Sequence, residues 1–282
     1  MISDTKVVAI GGGTGLSTML KGLKLHTHNI TAVVTVADDG GSSGILRSDL
    51  GMLAPGDVRN CVSALAEVDP VMGELLNFRF KDGSLKGHSL GNLFLAALNE
   101  TSSSFDEAVK KFSHLAGVVG TVYPVTNESV TLSALLEDGR LIEGESHIGV
   151  HHDGPKNGIV KLMVNPEKPK AVDGVIKALE KADIIVLGPG SLYTSIIPNL
   201  LVDGVVDAIK KSNAVKIYVC NIMSQAGETE NYTVSDHLAA IERHSYEGIA
   251  DIVIANNAII PESLRIKYAS EHAREVMIDS IN

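Results

Sequence analysis

The sequence contains no tryptophan, and aromatic residues make up only 4% of it. Its core must be filled by Val, Ile, Leu and Ala, the residues that suit a sheet buried on both faces. Cysteine is scarce. Cys61 and Cys220 are the only two, each in an apolar segment, with no Cys-x-x-Cys spacing. That excludes a disulfide framework and a cysteine zinc site, and points to a reducing compartment. Positive charge is in deficit: 24 Lys and Arg stand against 34 Asp and Glu, a formal net charge of -10. A field of that sign disfavours nucleic acid as a partner. A single nucleotide remains possible, because local backbone N–H groups and a few cations hold its phosphates. No apolar run reaches membrane-spanning length. The polar opening (MISDTK) leads straight into an apolar segment and does not read as a signal peptide. The expectation is a cytoplasmic protein without membrane insertion.

What is present fits one large domain over residues 1–282, with 44% hydrophobic and 21% charged residues. Residues 6–10 (KVVAI) form an apolar run that stops at glycines, the mark of a strand entering a tight turn. Apolar residues at helical spacing follow over 15–25, then a second strand over 30–37. The same strand-then-turn pattern returns at 183–187, 216–220 and 251–255. Between them the pattern changes. Residues 130–136 alternate, 137–140 (EDGR) carry an Asp-Gly turn signal, 141–148 return, and 159–164 add a strand. Segment 42–56 is rich in Ser, Gly and Pro and reads as a loop or broken helix. Helices are expected over 57–68, with Asp57 as N-cap, and over 89–99. The fold class is α/β: a Rossmann-like, doubly wound, mostly parallel sheet with helices on both faces and a small antiparallel β-hairpin elaboration.

In such sheets ligands bind at the carboxyl ends of the strands, near the point where strand order reverses. Here those ends carry the small and polar residues. Gly11, Gly12, Gly13, Thr14 and Gly15 join a strand to a helix, the context of a phosphate loop, without a strict Gly-x-Gly-x-x-Gly or a Walker lysine. Asp38 and Asp39 end the second strand, ahead of Ser42 and Ser43. Such acids hold a ribose hydroxyl or, with Asp57, a magnesium ion, Asp38 and Asp57 being the candidate metal ligands. Arg59 and Asn60 offer a cation and an amide to an anion. His88, Ser89 and Asn92 lie at a helix start, where His88 is a proton donor or a capping residue. Gly188, Gly190, Ser191, Thr194 and Ser195 suit a second phosphate cradle. Asn221, Gln225 and Glu228 follow the next strand, and Tyr268 offers a ring for a base to stack on. His151 and His152 read as solvated loop residues without metal spacing.

Five blocks, at 11–15 (GGGTG), 37–44 (ADDGGSSG), 56–60 (GDVRN), 87–92 (GHSLGN) and 188–199 (GPGSLYTSIIPN), resemble the signature blocks of the CofD-like family in the same order. The likeness runs from Lys6 to about Tyr268 and is strongest to the family's bacterial gluconeogenesis-factor branch. The resemblance implies a Rossmann-like fold and two functions from different classes. The bacterial branch implies a regulatory factor that binds UDP-sugars such as UDP-N-acetylglucosamine and supports cell shape and peptidoglycan synthesis on gluconeogenic carbon. The archaeal branch implies a magnesium-dependent 2-phospho-L-lactate transferase that moves a phospholactyl group from a guanosine diphosphate adduct to a deazaflavin. By position, the two Gly blocks would face the nucleotide, Asp38, Asp39 and Asp57 would stand near the transferring phosphate, and Asn221, Gln225 and Glu228 would form the rim. Bacterial members tend to run longer than 282 residues, so 277–282 reads as a shortened end. An NAD-dependent oxidoreductase is a third reading, weakened by the imperfect fingerprint. A homo-oligomer and regulatory protein partners are expected.

Overall fold

A computed structural model describes residues 2–67, 69–149 and 158–279. The first half runs β1 (Val7–Gly11), α1 (Gly13–Leu23), β2 (Ile30–Val34), α2 (Gly41–Leu50), α3 (Gly56–Leu65), α4 (Pro70–Asn77), α5 (Leu90–Glu100), α6 (Phe105–Leu115) and β3 (Thr121–Pro124). An insert follows: β4 (Thr131–Leu136), β5 (Leu141–Glu143), α7 (Glu145–Ile148) and β6 (Ile159–Asn165). The second half runs α8 (Asp173–Lys181), β7 (Ile184–Leu187), a π-helical turn (Leu192–Ile196), α9 (Ile197–Leu200), α10 (Val205–Lys211), β8 (Val215–Val219), α11 (Val234–Arg243), β9 (Ile252–Ile254) and α12 (Glu262–Ala269).

Six strands form one parallel sheet in the order β3-β2-β1-β7-β8-β9. Strand order reverses between β1 and β7, so the crossovers diverge there and open a crevice at the strand ends. All five residues of β1 are buried, which is why its sequence is continuously apolar instead of alternating. The insert forms a separate antiparallel sheet, β5-β4-β6, and β4 alternates between exposed or half-buried and buried positions. The Rossmann-like sheet and the antiparallel elaboration stand as expected, except that the returning segment 141–148 is a strand only over β5 and becomes helix α7 from Glu145. The elaboration has a third strand beyond the hairpin.

Several local expectations need correction. Segment 42–56 holds a regular ten-residue helix, α2, whose Ser42, Ser43 and Leu46 are buried. It stops at Gly51, whose φ of 65 is left-handed, a geometry glycine adopts without strain. Asp57 does not cap α3. Pro55 holds the cap position, no side chain bonds there, and Asp57 sits in the first turn. The edge strand β3 and helices α4 and α6 add to the expected elements; Ser104 caps α6, and its buried Phe105, Ala108, Val109 and Phe112 follow helical spacing. Among the described residues, no helix is long and apolar enough to cross a membrane.

Candidate functional site

The two glycine-rich strand ends flank the switch point and touch. A Cβ on Gly15 would lie 2.8 Å from the Pro189 carbonyl oxygen, and one on Gly190 would lie 3.3 Å from the Gly12 carbonyl oxygen. Side chains are excluded because backbone meets backbone. Gly13 has φ +67, which turns β1 into α1. Thr14 is exposed at the tip and Gly13 and Gly15 are half-buried, so the loop is open to solvent. Across the crevice, the Gly190 amide donates to Asn221 Oδ1 at 3.3 Å. Buried Asn199 donates through Nδ2 to the carbonyls of Gly11 (3.1 Å) and Ser195 (2.7 Å). One amide side chain therefore ties both loops together.

Acidic groups surround this crevice. Asp57 lies against the first loop: a Cβ on Gly12 would be 2.6 Å from its Oδ2, and the Gly13 amide donates to it. Burial, with the nearby Asp38 charge, pushes Asp57 up to about 6, against weaker lowering by the Gly13 amide and Arg59. Asp38 takes the Gly40 amide at 2.9 Å, and its other oxygen lies 3.2 Å from where a Cβ on Gly56 would sit. Asp39 is turned differently. Its two oxygens accept the amides of Glu145 (3.0 Å) and Ser146 (2.8 Å), fastening the start of α7 to the end of β2. That contact brings in Glu145, which carried no motif in the sequence. Burial first, then the charges of Asp38, Asp39, Glu228 and Asp57, raise Glu145 to about 7.

The loop after β8 supplies the far wall. Ser191 donates to Gln225 Oε1 at 2.6 Å, and Gln225 Nε2 donates to Glu228 at 2.6 Å. Glu228 also accepts the Tyr193 amide at 3.1 Å and the Thr194 hydroxyl at 3.3 Å. Burial raises Glu228 to about 7, opposed by the bonds from Tyr193 and Thr194. These bonds hold the π-helical turn that follows the second glycine loop.

A second group lies behind the crevice, in a buried chain of bonds. Ser42 Oγ is 3.0 Å from His88 Nδ1 and accepts Asn92 Nδ2 at 3.0 Å. Arg59 Nε donates to Asn92 Oδ1 at 3.1 Å, and its NH1 to Asn77 Oδ1 at 2.8 Å. Ser89 caps α5 by accepting the Asn92 amide at 3.2 Å. Arg59 is spent on side-chain amides, and burial lowers its pKa. Arg47 donates to the carbonyls of Ala37, Asp38 and Val130 and so braces the acidic loop from below. Ser43 lies beside Gly56, and Asn60 is half-buried on α3. Tyr268 is apart on α12, with no hydrogen bond or ring contact to these loops among the described residues. His151 and His152 fall outside the described residues. Of the residues that escaped attention, Asn199 lies within the 188–199 block and was within reach; Glu145 was not.

A doubly wound sheet whose two glycine loops meet at the switch point, ringed by carboxylates, defines the class of protein. The chain belongs to the CofD family: residues 7–282 match the family model described as 2-phospho-L-lactate transferase CofD. It is 51% identical over 279 residues to a protein of Clostridium acetobutylicum, covering 99% of this chain but only 62% of that relative. The gluconeogenesis factors of Halalkalibacterium halodurans and Bacillus subtilis are 48% and 46% identical over 97% of this chain, which spans 84% and 86% of their lengths. A crystal structure of a UPF0052 family member from Bacillus halodurans superposes with TM-score 0.95 at 46% identity, covering 99% of this chain and 89% of that one.

Proposed function

We propose that the chain is a regulatory factor that binds a nucleotide sugar, of the UDP-N-acetylglucosamine or UDP-glucose type, with its diphosphate at the β1–β7 switch point. In the cytoplasm such a factor would serve cell shape and peptidoglycan synthesis during gluconeogenic growth, acting through protein partners. The observation that carries the reading is the backbone contact between the loops at Gly11–Gly15 and Gly188–Ser191. It brings two glycine-rich turns together over one crevice with no side chain between them. The relatives named gluconeogenesis factor favour regulation over transfer.

The acidic wall sets a condition on any phosphate ligand. Arg47 and Arg59 give their hydrogen bonds to backbone carbonyls and side-chain amides, and Arg59 only weakly offsets the burial and the Asp38 charge that raise Asp57. Among the described residues no three His, Cys, Asp or Glu side chains are placed to cage a metal ion. Magnesium does not need such a cage, because it binds through one or two carboxylates together with phosphate oxygens and water. Asp38 and Asp57 fit that role, and the ion would neutralise charge between carboxylate and phosphate.

The same carboxylates favour a second reading, a magnesium-dependent transferase of the 2-phospho-L-lactate type. Most of the catalysis in phosphoryl transfer is positioning and charge stabilisation, so a binder and an enzyme can share this crevice. Titration calorimetry against UDP-N-acetylglucosamine, GDP and NAD, with and without magnesium, separates them when the ligand is recovered and analysed. Binding of the UDP-sugar, returned intact, is the expected result. Turnover, or a preference for GDP with magnesium, would replace the regulatory reading with the transferase.

A further inference from the structure

The antiparallel sheet has the order β5-β4-β6, so β6 has a neighbouring strand on one side only. The other edge of such a strand presents backbone groups that no strand takes up. Two side chains from outside the insert take them here. Tyr193, fully buried in the π-helical turn, donates its hydroxyl to the Ile159 carbonyl at 3.1 Å. His244, just past the end of α11, stands 2.8 Å from the Leu162 amide through Nε2 and 2.7 Å from the Ala240 carbonyl through Nδ1. A carbonyl only accepts, so Nδ1 carries the hydrogen and Nε2 offers its lone pair to the Leu162 N–H. Leu162 is buried, and without that lone pair its amide would be desolvated and unpaired.

We propose that His244 is a positioning residue for the crevice: by seating the free edge of β6 it fixes where the insert holds Glu145. The route is a run of backbone bonds. Strand β6 pairs with β4 in a register that sets Val164 opposite Leu132, and the Leu132 carbonyl accepts the Gly144 amide at 2.9 Å. Glu145 follows at once, its own amide held by Asp39. The insert is thus fastened at two ends, α7 by Asp39 and β6 by His244 with Tyr193. Tyr193 also joins this mount to the crevice wall, because its amide donates to Glu228 at 3.1 Å. Only the neutral imidazole serves, since an imidazolium has no lone pair for Leu162. The titratable and charged groups around the ring are Tyr193 from the π-helical turn, 6.0 Å away between ring centroids, Arg243 from α11 and Lys161 from β6. Burial first, then the Arg243 and Lys161 charges, hold His244 below its ordinary value, against the bond to Ala240. The consequence for a ligand rests on the nucleotide reading; the seating of the insert does not.

The test uses the full chain and two variants. His244→Leu removes the acceptor, whereas His244→Gln keeps one and takes no proton. Amide hydrogen exchange, followed residue by residue by NMR without ligand, reads the seating. His244→Leu should lower the protection of Glu145 and Ser146 about tenfold or more and leave β1 as in the wild type. His244→Gln should stay within about threefold of the wild type near neutral pH. As the pH falls toward about 5, the wild type should lose protection at these two amides and His244→Gln should lose less. Calorimetry with UDP-N-acetylglucosamine should then show binding weakened about fivefold or more by His244→Leu and restored in His244→Gln. Unchanged protection of Glu145 and Ser146 in His244→Leu overturns the proposal. An equal loss in β1 also overturns it, because His244 would then stabilise the fold as a whole. If the wild type binds no UDP-sugar, the nucleotide reading falls, while the exchange result still decides the seating.

Discussion

At the scale of single residues, the crevice depends on what is missing at Gly12. A methyl group there would meet the Asp57 carboxylate at 2.6 Å and the Thr35 methyl at 2.7 Å. Neither is the far end of a flexible chain. Gly12→Ala should therefore cost about 1–3 kcal/mol and weaken ligand binding. Urea unfolding and calorimetry on one preparation check both, and an unchanged melting curve would contradict the packing argument. Glu145 makes a different prediction. Its pKa rises from 4.5 to about 7 in the fold, so folding favours the protonated acid. The associated stability is fully present below about 4.5 and is lost as pH climbs through 7. Glu145→Gln, always neutral, should match the wild type at pH 4 and exceed it by about 1–3 kcal/mol at pH 8. A gain that did not vary with pH would rule out this electrostatic account.

Among the elements, the buried chain Ser42–Asn92–Arg59–Asn77 joins α2, α5, α3 and α4. Asn92→Ala removes one of the acceptors of a buried guanidinium, so the expected cost is about 2–4 kcal/mol. Denaturant unfolding reads it, and a loss under 1 kcal/mol would mean that water replaces the amide. The elements legible in the sequence are those whose burial is uniform. Strands β1 and β7 are short, β-branched-rich apolar runs that end at glycines, which marks them as buried strands. Helix α2 was obscured because its buried face is made partly of Ser42 and Ser43, which resemble a loop until the hydrogen bonds of Ser42 are known. Strand β3 contains Pro124, a residue that argues against a strand unless it lies at an edge, as it does here. Asp57 looked like a cap because it begins an apolar run. Its real partner, the Gly13 amide, lies 44 positions earlier in the chain, beyond any local pattern.

For the whole molecule, the partial site in the sequence and the complete one in the fold differ by topology. Strand ends can be found one at a time, but only the order β3-β2-β1-β7-β8-β9 puts 11–15 beside 188–191. The same order, with the insert fastened to Asp39, gathers Asp38, Asp57, Glu145 and Glu228 in one place. Their mutual repulsion grows as Asp57 and then Glu145 and Glu228 ionise between about pH 6 and 7. A cation that binds the folded state should offset it. Millimolar magnesium should raise the melting temperature more at pH 8 than at pH 5, by about 2–4 °C for each kcal/mol gained. Equal shifts at both pH values, or none, would mean that the carboxylates do not hold the ion.

The antiparallel sheet is spliced into the return path from β3 to β7, the one connection that must cross from the rim of the parallel sheet back to its middle. Glu145 reaches the crevice from that detour, whereas Gly12, Asp38 and Asp57 belong to the parallel frame. Two parts therefore share one crevice: the parallel frame, which supplies the glycine loops with Asp38 and Asp57, and the inserted antiparallel unit, which supplies Glu145. Under the proposed function, changes confined to the insert alter the neighbourhood of the ligand and leave the backbone of the two glycine loops in place.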